Sequence, residues 1–346
     1  MNRLASFARS AGARSAGAIA ALAVGVSAFT YANTVSRAAE AEAERRDLKP
    51  LGRSMMYVRD PDAFAKKWKK FSTDGMDKLL VIADFDFTLT TSFNPSGERG
   101  HSSHGILMAS EGLDPAVRAA NRAMFLKYYP IEQSPALSSA DKLPFIIEWW
   151  TKEHECIVEH KLTKRNIVDA VQKNTITFRE GFHDIFAVLA QQNVPTLIFS
   201  AGLYDVIHAV LDKEYASSAS SLAEGVPPNV HVISNMMQFD ADGVVVGFEG
   251  KLIHSLNKNA SVVLDTPFWA QCQTQQRRNV LLLGDSLGDA RMTDGLGCDE
   301  HEIVRIGFLN DRVSEKLDLY LQHFDVVLTN DSSMLPVELL LHQVQK

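Results

Sequence analysis

Apolar residues recur along the chain in short continuous runs, separated by longer stretches with helical spacing. Leu79–Ala83 is the first of these runs and contains no polar residue. A continuous apolar run of this length is typical of a strand that is buried on both faces of a parallel sheet. Similar runs follow at 195–199, 230–233, 280–283, 303–306 and 325–328. Strands that alternate with helices predict an α/β fold with right-handed crossovers.

Local signals predict several element boundaries. Asp60, directly before a proline, is expected to cap a helix that runs to Phe71. The spacing of apolar residues predicts further helices over 114–128 and throughout 163–192. The sequence DADG at 240–243, between two apolar stretches, predicts a β-hairpin.

The first two predicted core strands are separated by roughly a hundred residues, which is too many for a simple crossover loop. Because much of this span has a helical pattern, we interpret residues 92–192 as an inserted helical cap domain. The remaining segments, 50–91 and 193–346, then form a Rossmann-like core with a parallel sheet. Ligands of open α/β sheets bind at the carboxyl ends of the strands, where a cap would close over them and exclude water.

Composition and charge limit the classes of partner. The chain has 346 residues, of which 46% are hydrophobic, so a large core can be buried. The net charge of −7, without a long basic run, disfavours binding to a nucleic-acid polymer. A small anionic substrate is compatible with this charge, because a metal ion and one lysine can make a single spot positive. The three cysteines are widely spaced and indicate neither a disulfide framework nor a zinc site. We expect the protein to be a monomer.

The first 49 residues differ in composition from the rest. Three arginines precede a stretch rich in alanine, glycine and serine, and residues 15–36 carry no charge. An acid-poor start of this kind is typical of a mitochondrial presequence. A secretory signal, a short membrane anchor and an untargeted, disordered tail are the alternatives, and membrane association is predicted only through residues 15–36.

Polar motifs directly follow three of the predicted strands. Asp84 and Asp86 belong to DFDFTLT after the first strand, and Ser200 begins SAG after the second. Asp285 and Asp289 belong to GDSLGD after a later strand. Because the carboxyl ends of parallel strands meet at one edge of the sheet, we expect these side chains to form one site.

These residue types supply the groups that phosphoryl transfer requires. Asp84 can attack phosphorus as a carboxylate nucleophile, which predicts a phosphoaspartate intermediate. Asp86 can protonate the leaving oxygen and then activate water. The groups predicted to hold the phosphate oxygens come from two later segments: Ser200, Ala201, Gly202 and Lys258. Ser200 is also a typical helix N-cap residue, and a lysine such as Lys258 can equally be a solvated surface residue.

The predicted cofactor is Mg²⁺, since clustered carboxylates are the hard oxygen ligands that this ion prefers. A backbone carbonyl and waters are expected to complete its coordination, with Asp289 holding a metal-bound water. The predicted metal-site residues are Asp84, Asp86, Asp285 and Asp289.

The order DxDxT, strand-terminal serine, lysine and GDSxGD is similar to that of phosphatases of the haloacid dehalogenase superfamily. The segments KYYPIEQSP, EWWTKEH, LIFSAGLYDVI and LLLGDSLGDARMTDG closely resemble the cytosolic 5'-nucleotidase III family, also called pyrimidine 5'-nucleotidases. The resemblance runs from about residue 75 to the C-terminus. It implies a core with a helical cap, a cytoplasmic location, and magnesium-dependent hydrolysis of nucleoside 5'-monophosphates such as CMP and UMP.

The resemblance also implies substrate contacts from the cap, with Glu132 holding the base and Trp149 and Trp150 lining its pocket. Two positions depart from the expected pattern. Trp150 stands where pyrimidine-preferring members have tyrosine, and Glu153 stands where a small residue is expected. Both changes favour a cationic base, so 7-methyl-GMP is predicted as a further substrate. From the residues alone, Glu132 and Glu153 can also be interpreted as surface charges. Likewise, Trp149 and Trp150 can be interpreted as part of the hydrophobic core of the cap.

Two other functions remain open from the sequence. One is a phosphatase or phosphotransferase that acts on another phosphomonoester, such as a sugar phosphate. The other is a nucleotide-binding protein without turnover, although a binding module has no need for two adjacent carboxylates beside a phosphate.

Overall fold

The computed structural model describes residues 52–134, 136–217 and 225–344. In these ranges the chain forms one mixed sheet with helices on both faces. The strands are β1 (Met56–Val58), β2 (Leu79–Ala83), β3 (Thr196–Leu203), β4 (Val230–Phe239), β5 (Val245–Glu249), β6 (Asn279–Gly284), β7 (Ile303–Leu309) and β8 (Val326–Thr329).

The helices of the described ranges fall into three groups along the chain. Before and between β2 and β3 lie α1 (Pro61–Asp74), α2 (Ser103–Met108), α3 (Pro115–Gln133), α4 (Ser139–Glu159), α5 (Lys164–Lys173) and α6 (Phe182–Gln191). Helix α7 (Tyr204–Ser217) follows β3. The C-terminal part adds α8 (Ala260–Val263), α9 (Pro267–Thr274), α10 (Val313–His323) and α11 (Leu335–Leu341).

The strand order is β1-β8-β7-β6-β2-β3-β4-β5, and only the two outer pairs are antiparallel. The predicted α/β fold with a parallel core is therefore confirmed. The unbroken apolar run of β2 serves both faces of the sheet. Leu79 and Val81 pack in one hydrophobic cluster and Leu80 and Ile82 in another, on alternate sides of the strand.

Two predicted boundaries hold and one is wrong. Asp60 caps α1 by accepting a hydrogen bond from the N–H of Ala63 (2.9 Å), and β4 and β5 form the predicted hairpin. The span 163–192, predicted to be helical, forms two helices, α5 and α6, and is not helical between them. A loop separates them because its backbone bonds to another segment: Thr177 O accepts from the N–H of Thr91 (2.8 Å). Gly181, with φ +89°, then starts α6.

Helices α2 to α5 lie between β2 and β3 in the chain, and α4 and the loop that follows it contact the hairpin of β4 and β5. The N–H of Val245 donates to Leu162 O (2.7 Å), next to a β-bridge between Thr163 and Val244. Helix α6 packs against α11. The domain limits at residues 92 and 192 stay a prediction.

The predicted targeting or anchoring segment, residues 1–49, lies outside the described residues. Within the described part of the chain, no helix is both long and apolar enough to span a bilayer. The compartment and the monomeric state stay predictions.

Candidate active site

Three aspartates meet at the carboxyl ends of β2 and β6. The N–H of Asp84 donates to Leu283 O (3.0 Å), which continues the pairing of these two strands up to the motifs that follow them. Asp84, Asp285 and Asp289 each place one carboxylate oxygen within 4.8 Å of the others. Asp84 and Asp289 are buried and Asp285 is half-buried. Three hard oxygen donors this close together suit Mg²⁺ or a similar divalent cation.

Burial and mutual repulsion raise the pKa values of two carboxyl groups in this cluster. Burial raises the pKa of Asp84 to about 7, with the charge of Lys258 opposing and that of Asp289 adding to the increase. Burial, followed by the charges of Asp289 and Asp84, holds the pKa of Asp285 well above its usual range. A divalent cation would relieve this repulsion, so the electrostatics also fit a metal ion.

Lys258 lies inside this cluster and is buried, so its alternative reading as a solvated lysine is wrong. Its Nζ donates to Asp84 Oδ1 (2.6 Å) and to Asp289 Oδ1 (2.5 Å). Burial alone would lower the pKa of Lys258, but the charges of Asp289 and Asp84 outweigh it and raise the pKa above its ordinary value. Lys258 is therefore cationic at neutral pH.

Asp86 is half-buried, and its carboxylate bonds to the start of α2. Ser103 donates its N–H to Asp86 Oδ1 and its Oγ–H to Oδ2, both at 2.6 Å. Burial raises the pKa of Asp86, and the Ser103 bonds oppose that increase. Asp86 therefore has Ser103 as its hydrogen-bond partner, and its predicted place in the metal site stays a prediction.

The segment Ser200–Gly202 lies within β3 and does not follow it, so Ser200 does not cap a helix. The reason is that β3 continues to pair with β4 beyond an irregularity, and Asn235 Nδ2 donates to Ala201 O (2.7 Å). Ser200 is buried, and its Oγ accepts from the N–H of Gly202 (3.0 Å). A Cβ on Gly202 would lie 2.1 Å from Ser103 Oγ, so only glycine fits at this position.

Glu153 is buried in the cap, so its reading as a surface charge is wrong. Its carboxylate accepts from Trp149 Nε1 (3.0 Å) and Asn121 Nδ2 (2.6 Å), and His104 Nε2 lies 3.4 Å away. Burial raises the pKa of Glu153, but the contacts with His104, Asn121 and Trp149 outweigh it and hold the pKa below its ordinary value. Glu153 is therefore an ionised carboxylate inside the cap.

The two tryptophans belong to the same aromatic cluster. Trp149 stacks on Tyr128 (ring centroids 5.9 Å apart), and Trp150 contacts His104 edge-to-face (6.0 Å). The buried Nε1 of Trp150 has no hydrogen-bond partner among the described residues. Because His104 follows Ser103, this cluster adjoins the contact between Ser103 and Asp86.

Glu132, near the end of α3, connects the cap to the core. Its Oε1 accepts from Ser255 Oγ (2.6 Å), three residues before Lys258. Burial raises the pKa of Glu132, and the hydrogen bond from Ser255 opposes the increase. The structure therefore places Glu132 beside the segment that carries Lys258, and its predicted contact with the base stays a prediction.

Sequence reasoning missed two residues that contact the site, Ser103 and Arg179. Ser103 follows the N-cap of α2, and a serine pair after a glycine-rich segment signals a helix start but not a catalytic contact. Arg179 lies in a predicted helix that the structure interrupts, and its guanidinium bonds to the loop that follows Asp86. Nothing in the local sequence pattern indicates either contact.

Comparison with known proteins identifies the family. The model of the pyrimidine 5'-nucleotidase (UMPH-1) family matches residues 87–345. The chain belongs to this family. It is 37% identical over 284 residues to 7-methylguanosine phosphate-specific 5'-nucleotidase A of Xenopus laevis, covering 82% of this chain and 93% of the relative.

Two further relatives of this 5'-nucleotidase support the assignment. The Homo sapiens 7-methylguanosine phosphate-specific 5'-nucleotidase is 35% identical over 298 residues, covering 86% of this chain and 95% of the relative. The crystal structure of cytosolic 5'-nucleotidase IIIB bound to cytidine superposes with a TM-score of 0.74 at 33% identity. That superposition covers 84% of this chain and 93% of the other. The predicted enzyme class and family are confirmed.

Proposed function

We propose that this 5'-nucleotidase hydrolyses nucleoside 5'-monophosphates in a magnesium-dependent reaction with a phosphoaspartate intermediate on Asp84. The observation that carries the proposal is the group of Asp84, Asp285 and Asp289 around the buried Lys258, at the ends of two neighbouring parallel strands. Mg²⁺ held by these three carboxylates would supply positive charge against the phosphate oxygens.

In the first step a carboxylate oxygen of Asp84 forms a bond to phosphorus, and the bond between phosphorus and the ribose 5'-oxygen breaks. Asp86 donates its proton to that oxygen, so the nucleoside leaves as an alcohol. In the second step Asp86 takes a proton from water, whose oxygen attacks phosphorus and releases Asp84 and inorganic phosphate. Lys258 compensates the negative charge of the phosphoryl group throughout.

The burial of Asp86 suits both parts of its role. Because burial raises its pKa, the protonated form is more populated than for an exposed aspartate. Ser103 opposes this increase and fixes the orientation of the carboxylate. Strand β3, next to β2 in the sheet, contains the donors predicted to hold the phosphate. They are Ser200 and the backbone N–H groups that follow it.

We further propose that 7-methyl-GMP is a substrate beside CMP and UMP. The ionised Glu153 accepts from Asn121 and Trp149 and lies 3.4 Å from His104 Nε2, and a cationic base would add favourable charge beside this carboxylate where a neutral base would not. The Nε1–H of Trp150, which has no partner in the described part of the chain, offers a hydrogen bond to an acceptor on the base. The names of the relatives, which refer to 7-methylguanosine phosphate, point the same way.

A nucleotide panel tests the proposal. Phosphate release is measured from CMP, UMP, 7-methyl-GMP, GMP and a sugar phosphate, with Mg²⁺ and with a chelator. We expect turnover of the nucleotides only with Mg²⁺ and little release from the sugar phosphate. Asp84→Asn should abolish turnover while nucleotide binding remains. A purified protein that releases phosphate from the sugar phosphate alone would contradict the proposed substrate class, and an active Asp84→Asn variant would contradict the proposed nucleophile.

A further inference from the structure

We propose that Arg179 is a positioning residue for the reaction at Asp84, a role that rests on the function proposed above. Its buried guanidinium fixes the turn that follows Asp86 and joins that turn to both chain segments that enter the cap. Loss of its hydrogen bonds should therefore lower turnover in addition to any effect on stability.

The first observation is the contact of Arg179 with the catalytic turn. Its Nη2 donates to Phe87 O (2.6 Å) and its Nε donates to Thr88 O (2.8 Å). Phe87 has φ +64°, in the left-handed region that non-glycine residues rarely adopt. Since Phe87 directly follows Asp86, the guanidinium stabilises the strained turn that begins at this proposed acid and base.

The second observation is that the remaining N–H groups of the guanidinium bind to the ends of β7 and β8. Nη1 donates to Asp331 Oδ1 (3.0 Å) and Ser332 O (2.5 Å), and Nη2 also donates to Asn310 Oδ1 (2.7 Å). All five guanidinium N–H groups therefore have acceptors. Arg179 is 2% exposed, so these bonds form away from water. Lysine donates all of its hydrogen bonds from one nitrogen atom, so it cannot reproduce the planar arrangement of these bonds.

The third observation concerns the two segments that connect the core to the cap. The N–H of Arg179 donates to Leu89 O (3.0 Å), so the returning segment pairs with the outgoing one. Asp331, the ionic partner of Arg179, accepts from the N–H groups of Ser92 (2.9 Å) and Phe93 (3.1 Å) on the outgoing segment. The same pair thus holds the catalytic turn and the base of the cap.

A second buried arginine provides a matched control. Arg277 is 7% exposed and also donates to backbone carbonyls, including those of Met76 and Leu79. These contacts lie at the amino end of β2, the opposite end from Asp84. A purely structural arginine at the catalytic end would behave as Arg277 does, whereas a positioning residue would affect turnover more strongly.

The experiment compares Arg179→Lys with Arg277→Lys in the full chain, using kcat and KM for CMP with Mg²⁺ and the melting temperature. We expect Arg179→Lys to lower kcat by about 100-fold, because displacement of catalytic groups by an ångström has an effect of this size. KM should change less than about threefold, and Arg277→Lys should leave kcat within about threefold of wild type at a similar loss of melting temperature. Equal changes in kcat for the two variants would overturn the inference.

Asp331→Asn keeps the test decisive if Arg179→Lys does not fold. The substitution keeps the size of the side chain but removes the negative charge that pairs with Arg179. It also replaces one carboxylate oxygen, an acceptor, by an NH2 group that cannot accept a hydrogen bond from a backbone N–H. We expect kcat to fall about tenfold, and unchanged kcat would overturn the inference. An inactive wild-type chain would overturn the proposed function and this inference together, whereas an active wild type with unaffected variants would overturn the inference alone.

Discussion

Ser103 donates two hydrogen bonds to Asp86, one from its backbone N–H and one from its hydroxyl group, each 2.6 Å long. Ser103 begins a helix of the predicted cap, whereas Asp86 follows a core strand. The contact therefore links the position of the cap to the orientation of the group that we assign as acid and base.

Replacement of Ser103 by alanine should lower kcat by about tenfold, a part of the contribution that a well-placed general acid makes. The backbone N–H bond remains, but Asp86 Oδ2 loses its donor and the carboxylate gains freedom to rotate. Steady-state kinetics with CMP measure the effect. Ser138→Ala is the control, because Ser138 caps α4 through Asp141 on the exposed surface. A kcat that falls equally in both variants would show that the Ser103 contact has no special role.

Gly202→Ala should be more damaging, because the new methyl group would lie 2.1 Å from Ser103 Oγ and 3.2 Å from Asp86 Oδ2. To make room, Ser103 has to move away from Asp86, and we expect kcat to fall about 100-fold. Gly112→Ala serves as the comparison, since its nearest neighbour would be Ser110 Oγ at 3.7 Å. Kinetics together with circular dichroism separate loss of activity from loss of fold. Normal turnover in Gly202→Ala would contradict the close packing described above.

Glu153→Gln tests the proposed preference for a cationic base. The substitution keeps the shape of the side chain but removes the negative charge that the cap buries. We expect kcat/KM for 7-methyl-GMP to fall about tenfold, equivalent to ~1.4 kcal/mol, while kcat/KM for CMP changes much less. Glu155→Gln, on the exposed side of the same helix, should change neither value. A parallel decrease for both nucleotides would assign Glu153 to the packing of the cap instead.

The raised pKa of Asp84 predicts how stability depends on pH without metal. Its ordinary value of 3.8 applies to the unfolded chain, and burial raises the pKa to about 7 in the folded protein. Between these values the folded state holds a proton that the unfolded state has lost, so the free energy of unfolding decreases as pH rises through this window. Binding of Mg²⁺ to the ionised carboxylates should oppose the decrease.

Melting temperatures measured from about pH 5 to pH 7.5, with Mg²⁺ and with a chelator, check this prediction. The decrease with rising pH should be larger in the chelator, and Asp84→Asn should show less of it because the titrating group is absent. Identical pH profiles with and without Mg²⁺ would contradict binding of the ion at this cluster.

Much of the fold and of the proposed site followed from local patterns. The run Leu79–Ala83 predicted a strand buried on both sides, and its position placed Asp84 at a strand end, where the structure has it. The same reasoning brought Asp285 to the neighbouring strand end. These predictions succeed because strand periodicity and strand-end position depend on residues close in sequence.

Other features depend on contacts that are distant in sequence. Ser200 has the local signature of a helix cap, but pairing of β3 with β4 keeps its segment extended. Within the span predicted to be helical, the loop between α5 and α6 bonds instead to the segment near Thr91. Arg179 lies 152 positions from its ionic partner Asp331, so neither spacing nor composition indicates the pair.

The bonds of Lys258 to Asp84 and Asp289 have a consequence for substrate affinity. With both carboxylates as its partners, the positive charge of Lys258 is already compensated before a nucleotide arrives. If the proposed function holds, a phosphate oxygen would compete with the two aspartates for the ammonium group of Lys258, so phosphate binding would be an exchange of counterions. The affinity for the phosphate would then reflect the difference between its ion pair with Lys258 and the ion pairs that Lys258 already makes with Asp84 and Asp289.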